Sequence, residues 1–230
     1  MLCLVRFRET EFTRSIESFA PATPILVAEF DSSLSGAGLI WAVRTNGTEV
    51  VRGVSAVDLS FSGFSFDSSY QNLSEYIGAI LAVVGQVMLG FSGTGIALRG
   101  DIVTALTWAM TERPRGVRVT NASMIWTLLC IATDIDVKEV THIAGEENGK
   151  CDCLFRRGSD MTISVAEEAE DMGIRGAEVL ELDSDQSVSD IIGLCDPRTE
   201  LNSEADFISI WLRARGVIGV FVEKCVHTPP

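Results

Sequence analysis

Four carboxylates in this 230-residue chain stand where they could share a metal ion. Asp31 follows the apolar run 25–30, and Glu75 lies near the start of the apolar segment 72–88. Asp101 follows the apolar run 95–98, and Asp152 lies in the helical pattern that comes after the alternating run 137–142. Each alone has an ordinary explanation as a turn former, dipole partner, helix cap or solvated side chain. Together at one end of a sheet, their like charges would repel unless cations neutralised them. The pattern predicts a site for Mg²⁺ or Mn²⁺, which prefer oxygen ligands.

The first half of the chain predicts three antiparallel strands, a helix and a further strand. Asn46-Gly47 is the strongest short hairpin signal, and it separates two β-rich runs. Between Asn72 and Met88, apolar residues recur at steps of three and four, as on one face of a helix. The elements predicted here are strands at 25–30, 38–43, 48–52 and 95–98 and a helix at 72–88.

The second half predicts helices around one more strand. Residues 137–142 alternate as a strand does, and helical patterns lie on both sides of them. The order β-β-β-α-β-α-α-β-α combines hairpins with crossovers, so we expect an α/β fold with a mixed five-stranded sheet flanked by helices. The helical patterns lie at 102–110, 119–132, 148–156, 165–172, 188–194 and 205–213, and an apolar run follows at 217–222.

The net charge of −14 is unevenly distributed. The segment from Ser164 to Asp206 holds 13 acidic and two basic residues, whereas residues 1–163 hold 18 acidic and 13 basic ones. An acidic chain argues against a nucleic-acid partner, but here the acidity belongs mainly to the C-terminal segment. The expected organisation is a lead-in at 1–23, a globular domain at 24–160 and an acidic, helical appendage at 161–230.

Export, membrane insertion and a zinc site are not expected. Arg6, Arg8 and Glu9 interrupt the stretch where a secretory peptide needs its apolar core, so an intracellular protein, cytoplasmic or nuclear, is predicted. The apolar stretch 76–91 is shorter than the roughly 20 residues of a membrane-spanning helix. Cys151 and Cys153 near His142 suggest zinc, but on a helix the two thiols would point about 200° apart.

Four sequence blocks resemble the ribonuclease H domains attached to reverse transcriptases of retroelements. Residues 142–156, HIAGEENGKCDCLFR, are similar to the family signature H-I-P-G-x-x-N-x-x-A-D-x-L-S-R. Residues 31–38, DSSLSGAG, resemble its opening D-A-S-x-x-G-x-G. Residues 71–75, QNLSE, resemble its Q-N-x-x-E block, and 99–105, RGDIVTA, its R-G-D-S-x-T-A block. The blocks follow the family order, and only Ala144, Cys151 and Phe155 depart from the terminal signature.

This resemblance implies a ribonuclease-H-like fold and a two-metal active site. Asp31, Glu75, Asp101 and Asp152 would form the D-E-D-D cluster that holds two Mg²⁺ or Mn²⁺ ions. Asp31 would bridge the ions, Glu75 and Asp101 would hold one of them, and Asp152 would hold the other. His142 matches the mobile histidine that assists proton transfer or product release. A structural imidazole that caps a turn is the alternative for His142.

The implied activity is hydrolysis of the RNA strand of an RNA/DNA hybrid. A reverse transcriptase domain is a further expected partner, and no membrane or small-molecule cofactor is expected. Recognition would use 2′-hydroxyls and backbone shape rather than base reading. The cations near the motifs are Arg99, Arg113, Arg115, Arg118, Lys150, Arg156 and Arg157.

Two other function classes fit parts of the sequence. An inactive ribonuclease-H-like module could bind protein through its acidic C-terminal arm or use that arm to exclude nucleic acid. A sugar or acetate kinase of the actin-like class could hold phosphate with the turn from Asp31 to Gly36, but such a kinase needs a second glycine-rich loop and a much longer chain.

Overall fold

A computed structural model describes residues 26–59, 70–111, 119–158, 164–182, 184–196 and 204–227. The predicted lead-in at 1–23 lies outside the described residues, as do Arg113, Arg115 and Arg118. The prediction of α/β architecture with a mixed sheet flanked by helices is confirmed.

The described part of the chain forms one six-stranded sheet in the order β5-β4-β1-β2-β3-β6. Strands β1 to β3 are antiparallel neighbours, whereas β4 and β5 continue the sheet in parallel with β1, and β6 pairs in parallel with β3. The predicted hairpin is present: Asn46 and Gly47 both have positive φ, at 52° and 78°. The strands are β1 Leu26–Ser32, β2 Gly36–Thr45, β3 Thr48–Asp58, β4 Gly95–Gly100, β5 Asp136–His142 and β6 Glu178–Val179.

Helices cover both faces of the sheet. The apolar pattern of the longest buried helix, α1, was read correctly from the sequence, with its start one residue earlier than predicted. The predicted helix at 205–213 and the apolar run after it form a single helix, α7. The helices are α1 Gln71–Met88, α2 Val103–Thr111, α3 Thr120–Thr133, α4 Gly149–Gly158, α5 Val165–Asp171, α6 Gln186–Leu194 and α7 Glu204–His227.

Helix α1 is fixed against one face of the sheet by Trp41. The Trp41 indole nitrogen donates to the carbonyl of Ala82 at 2.8 Å. Gly85 makes this close approach possible, because a Cβ at that position would lie 2.1 Å from the indole ring. Phe30, on β1, is buried in the same core. This packing sets the direction of α1, so that its first turns reach the end of β1.

The sheet differs from the predicted five strands because the acidic segment adds a sixth. Strand β6 pairs with Gly53 and Val54 of β3, and Ser55 Oγ donates to the carbonyl of Leu180 at 2.6 Å. A strand of two residues carries no alternation that sequence analysis could detect. Its position depends on tertiary pairing alone.

The prediction of a C-terminal appendage at 161–230 is not confirmed. Val188, Ile191 and Phe221 from this segment are buried in the same core cluster as Leu26 of β1. Glu167, Glu170 and Asp171 of the same segment are exposed, whereas Glu168 is buried. The segment is therefore amphipathic, and most of its described acidic residues lie on its outer face.

Within the described ranges, no helix combines the length and the apolar character needed to cross a bilayer.

Candidate metal centre

Parallel pairing of β1 and β4 brings Asp31 and Asp101 to one edge of the sheet. Glu29 pairs with Arg99 in the register of these strands, so the residues two positions further on, Asp31 and Asp101, lie side by side. Carboxyl ends of parallel strands are where open α/β sheets place their ligands. Topology thus brings together two residues that are 70 positions apart in the chain.

Helix α1 supplies the third carboxylate, Glu75, from its second turn. Ser74 Oγ donates to the carbonyl of Ser33, which joins the helix start to the loop after β1. Gly78 lies directly against β1, because a Cβ there would stand 2.2 Å from Ser32 Oγ. These two contacts hold the first turns of α1 over the end of β1, so Glu75 faces Asp31.

Asp31, Glu75 and Asp101, here called the acidic triad, each offer one carboxylate oxygen, and these three oxygens lie within 4.8 Å of one another. Glu75 is only 1% exposed. Among the described residues, no hydrogen-bond partner meets the buried Oε2 of Glu75 or the buried Oδ1 of Asp101. Buried polar atoms are nearly always paired, and oxygen-only ligands are the set that hard divalent cations prefer. The acidic triad therefore fits a metal ion.

The electrostatics of the triad show what an ion would offset. Burial, followed by the like charges of Asp101 and Asp152, raises the pKa of Asp31 to about 6. Burial, followed by the charges of Asp101 and Asp31, raises the pKa of Glu75 to about 9. Both carboxyls hold protons more tightly than usual because burial and the neighbouring negative charges disfavour their ionised forms. A bound divalent ion would replace those protons.

Asp152 lies near the triad but outside the group of oxygens within 4.8 Å. Its charge contributes to the raised pKa of Asp31, so the two side chains are within electrostatic range. Asp152 Oδ1 instead accepts from Arg156 Nε at 2.5 Å, one helical turn further along α4. The structure thus unites three of the four predicted carboxylates and pairs the fourth with an arginine.

Two glycines determine how closely α4 approaches the site. A Cβ on Gly38 would lie 2.0 Å from the carbonyl oxygen of Cys151, and one on Gly36 would lie 2.2 Å from the Phe155 ring. Gly38 is paired with Asp31 across β1 and β2. Helix α4 therefore crosses the sheet at the level of Asp31. This explains why the charge of Asp152 raises the pKa of Asp31.

His142 ends β5 on the other side of Asp101. Its Nε2 lies 3.0 Å from the backbone carbonyl of Asp101, so Nε2 is the donor and Nδ1 of the neutral ring is left as an acceptor. Ile143 continues this association through its N–H, which donates to the carbonyl of Gly100. The imidazole is exposed. Its placement agrees with both roles considered for it, proton transfer and turn capping.

Asn148 and Gln71 belong to the recognised motifs, but sequence reasoning gave neither a role. Asn148 is fully buried, and its Nδ2 donates to the carbonyl of Phe30 at 2.9 Å. Its own carbonyl accepts from the N–H of Cys151 and so begins α4. Asn148 therefore ties the helix that bears Asp152 to the strand that bears Asp31. The available signal was that both amides match named positions of the family motifs.

The thiols do not form a metal site with the triad. Cys151 is buried, and its Sγ lies 4.0 Å from Glu29 Oε1, whereas Cys153 is partly exposed on another side of α4. Burial raises the pKa of the Cys151 thiol. Neither residue joins a group of three or more ligands in the described part of the chain.

A second set of charges lies on strands β2 to β5, and its positive and negative charges are equal in number. Arg44 contacts Glu49 at 3.1 Å and Glu139 at 3.0 Å. Arg99 donates to both oxygens of Glu49, at 2.8 and 2.6 Å. Since β1 and β4 separate β2 from β5, the Arg44–Glu139 pair reaches over two strands. We call these four residues the charge network.

No known protein-family model matches the chain, and no curated protein matches it either. The family resemblance of the four motifs therefore stays a prediction, and the geometry of the site has to support any functional proposal.

Proposed function

We propose that the protein is a metal-dependent endonuclease of the ribonuclease H type, which hydrolyses the RNA strand of RNA/DNA hybrids. The observation that carries this proposal is the convergence of Asp31, Glu75 and Asp101 at the carboxyl edge of the sheet, where Glu75 and Asp101 each have a buried oxygen with no hydrogen-bond partner among the described residues. These three residues come from three of the motifs that resemble the family, in the family order.

Each residue of the site has a distinct part in this proposal. The acidic triad would hold one Mg²⁺ or Mn²⁺ ion, and Asp152 would help to hold a second once its side chain leaves Arg156. Ions bound there would supply the activation of an attacking water and the stabilisation of charge on the leaving 3′ oxygen. His142 accepts a proton at Nδ1 while Nε2 stays bonded to the Asp101 carbonyl.

Several described cations near the proposed site are already paired with acidic side chains. Arg44, Arg99, Arg156 and Lys138 all form ion pairs with acidic side chains. Proteins bind nucleic-acid backbones mainly by neutralising phosphates with lysine and arginine. Hybrid binding by this chain alone is therefore expected to be weak, and a partner such as a reverse transcriptase domain would supply additional affinity.

The ion pair between Arg156 and Asp152 favours a second candidate, an inactive interaction module. In that case Arg156 permanently replaces the ion that Asp152 would otherwise hold. The exposed acidic residues of the C-terminal segment would then serve as the binding surface for a basic protein.

Cleavage of an end-labelled RNA/DNA hybrid distinguishes the two candidates. The unmutated protein is compared with Asp31→Asn and with Asp171→Asn, a matched change at an exposed residue of α5. Metal-dependent cutting of the RNA strand by the unmutated protein and by Asp171→Asn, with loss in Asp31→Asn, supports the nuclease. Equal cutting by all three would overturn the site. No cutting by a folded protein with Mn²⁺ present would support the interaction module.

A further inference from the structure

The amide of Gln71 connects the end of β1 to the Glu75 carboxylate. Its Nε2 donates to the backbone carbonyl of Ser32 at 2.8 Å and to Glu75 Oε1 at 3.1 Å. A primary amide nitrogen carries two hydrogens, so these two bonds use its whole donor capacity. One end of this bridge is a rigid strand and the other is a metal-ligand candidate.

Because of this bridge, the two oxygens of Glu75 have different surroundings. Oε1 is occupied by Gln71, whereas Oε2 is buried and meets no hydrogen-bond partner among the described residues. A carboxylate held at one oxygen cannot rotate freely, so the other oxygen keeps one direction. One oxygen of the Glu75 carboxylate lies within 4.8 Å of a carboxylate oxygen of Asp31 and of one of Asp101, and the bond at Oε1 holds the group in that arrangement.

We propose that Gln71 is a positioning residue, which fixes the Glu75 carboxylate so that Oε2 is presented to the metal ion. The inference rests on the metal centre of the proposed function and adds a residue to it. Outer partners that orient metal ligands in this way commonly contribute a factor of 10–100 to ion affinity.

A neutral donor suits this task better than a charged one. Arg156 beside Asp152 shows the contrast, because a guanidinium balances the charge of the carboxylate that it holds. The Gln71 amide orients Glu75 and leaves its negative charge available to a cation. Capping of α1 does not explain Gln71, because the cap residue is Tyr70 and no side chain bonds to that helix end.

The first test measures Mn²⁺ binding by calorimetry to the unmutated protein, Gln71→Met and Asn72→Met. Methionine keeps the length of Gln71 and removes both donors. Asn72 is the adjacent amide on the same helix, and it is exposed, so Asn72→Met is the matched control. The Kd for Mn²⁺ should rise about tenfold in Gln71→Met and stay within about twofold in Asn72→Met. An unchanged Kd in Gln71→Met would overturn the proposal.

A second measurement uses only the unmutated protein, so it does not depend on the stability of a variant. In ¹H–¹⁵N spectra, Mg²⁺ should shift the side-chain amide signals of Gln71 with the same midpoint as ion binding. Gln86, whose amide bonds to Phe91 and Thr94, and Gln186, which bonds to Asp190, serve as internal controls and should not move. Equal shifts at all three glutamines, or none at Gln71, would contradict a specific link to the ion.

These outcomes separate the inference from the nuclease proposal. Mn²⁺ binding that depends on Gln71, in a protein that cuts no RNA, would support the positioning role and remove only the activity. If the protein cuts RNA but its Mn²⁺ affinity does not depend on Gln71, the nuclease proposal stands and the positioning role of Gln71 is overturned. Failure of the unmutated protein to bind Mn²⁺ would overturn the metal centre on which both depend.

Discussion

The acidic triad and the charge network lie close together, yet the pKa values of their carboxylates shift in opposite directions. Arg99 of the network and Asp101 of the triad are two residues apart at the end of β4. In the network, hydrogen bonds from arginine lower the pKa of the carboxylates. In the triad, burial and like charges raise it.

The pKa shifts make this difference concrete. The hydrogen bonds from Arg99 lower the pKa of Glu49, and the one from Arg44 lowers that of Glu139. The pKa of Glu75, by contrast, rises to about 9. The fold therefore pairs the carboxylates of the network with arginines, whereas in the triad burial and like charges outweigh the charge of Arg156, which lowers the pKa of Asp31. Clustered carboxylates whose negative charge is not offset are a suitable site for a divalent cation from solution.

Removing one carboxylate from each group gives the largest expected difference. Asp101→Asn should lower metal-dependent cleavage of a hybrid at least a hundredfold, because it removes a ligand from the triad. Glu49→Gln should change the rate less than about twofold, because the network touches no reacting group. Initial rates at saturating Mg²⁺ measure both. Similar losses in the two variants would show that the groups do not differ in function.

Ion binding should also stabilise the fold through the triad. Mn²⁺ at about 100 times its Kd contributes about 2.7 kcal/mol to the free energy of unfolding, which corresponds to about 5–10 °C in melting temperature. Thermal scans with and without EDTA measure this shift. The shift should vanish in Asp31→Asn and persist in Asp171→Asn, and an equal shift in both would place the ion elsewhere.

Without metal, the two groups should respond to pH in opposite directions. Asp31 and Glu75 have folded pKa values of about 6 and about 9, above the ordinary 3.8 and 4.5. The folded state thus binds more protons than the unfolded state, so stability is greatest at low pH for these groups and falls as pH rises to about 9. The lowered pKa of Glu49 has the opposite sign, with stability present above its unfolded pKa and lost as pH falls.

Glu75→Gln isolates the contribution of the triad to this pH dependence. In EDTA at pH 9, this variant should melt at least about 3 °C above the unmutated protein, because it buries no charge; about 1 kcal/mol is enough for such a shift. At pH 5 the two melting temperatures should converge, since Glu75 is then protonated. A difference that is constant from pH 5 to pH 9 would contradict the raised pKa.

Much of the fold could be predicted because it depends on local signals. The Asn46-Gly47 turn and the three-and-four spacing of α1 each describe neighbours in sequence, and both predictions are confirmed. The sequence analysis separated the helical pattern at 205–213 from the apolar run at 217–222, and the structure joins the two segments in the single helix α7. Strand β6 exists only through its pairing with β3.

The candidate site was predictable in its residue types and less so in its geometry. The order of the carboxylates implied that they meet, and three of them do. The sequence could not decide whether Asp152 bonds to Arg156 or faces the other carboxylates, because a spacing of four residues on a helix allows an ion pair without requiring one. The two bonds of Gln71 and the Arg44–Glu139 pair depend on register across strands and on helix packing.

The smallest expected effect comes from the charge network itself. Arg99→Gln removes both bonds to Glu49 and should lower the free energy of unfolding by about 1 kcal/mol or less, because the pair is partly exposed and water screens it. Urea unfolding in EDTA measures this value, and raising NaCl from 0.1 to 1 M should reduce the difference between variant and unmutated protein. Mn²⁺ affinity should change less than about twofold. A larger change in Mn²⁺ affinity would show that the network influences the triad through Glu29. Burial raises the pKa of Glu29, and the charge of Arg99 lowers it. The two groups would then act as one electrostatic unit.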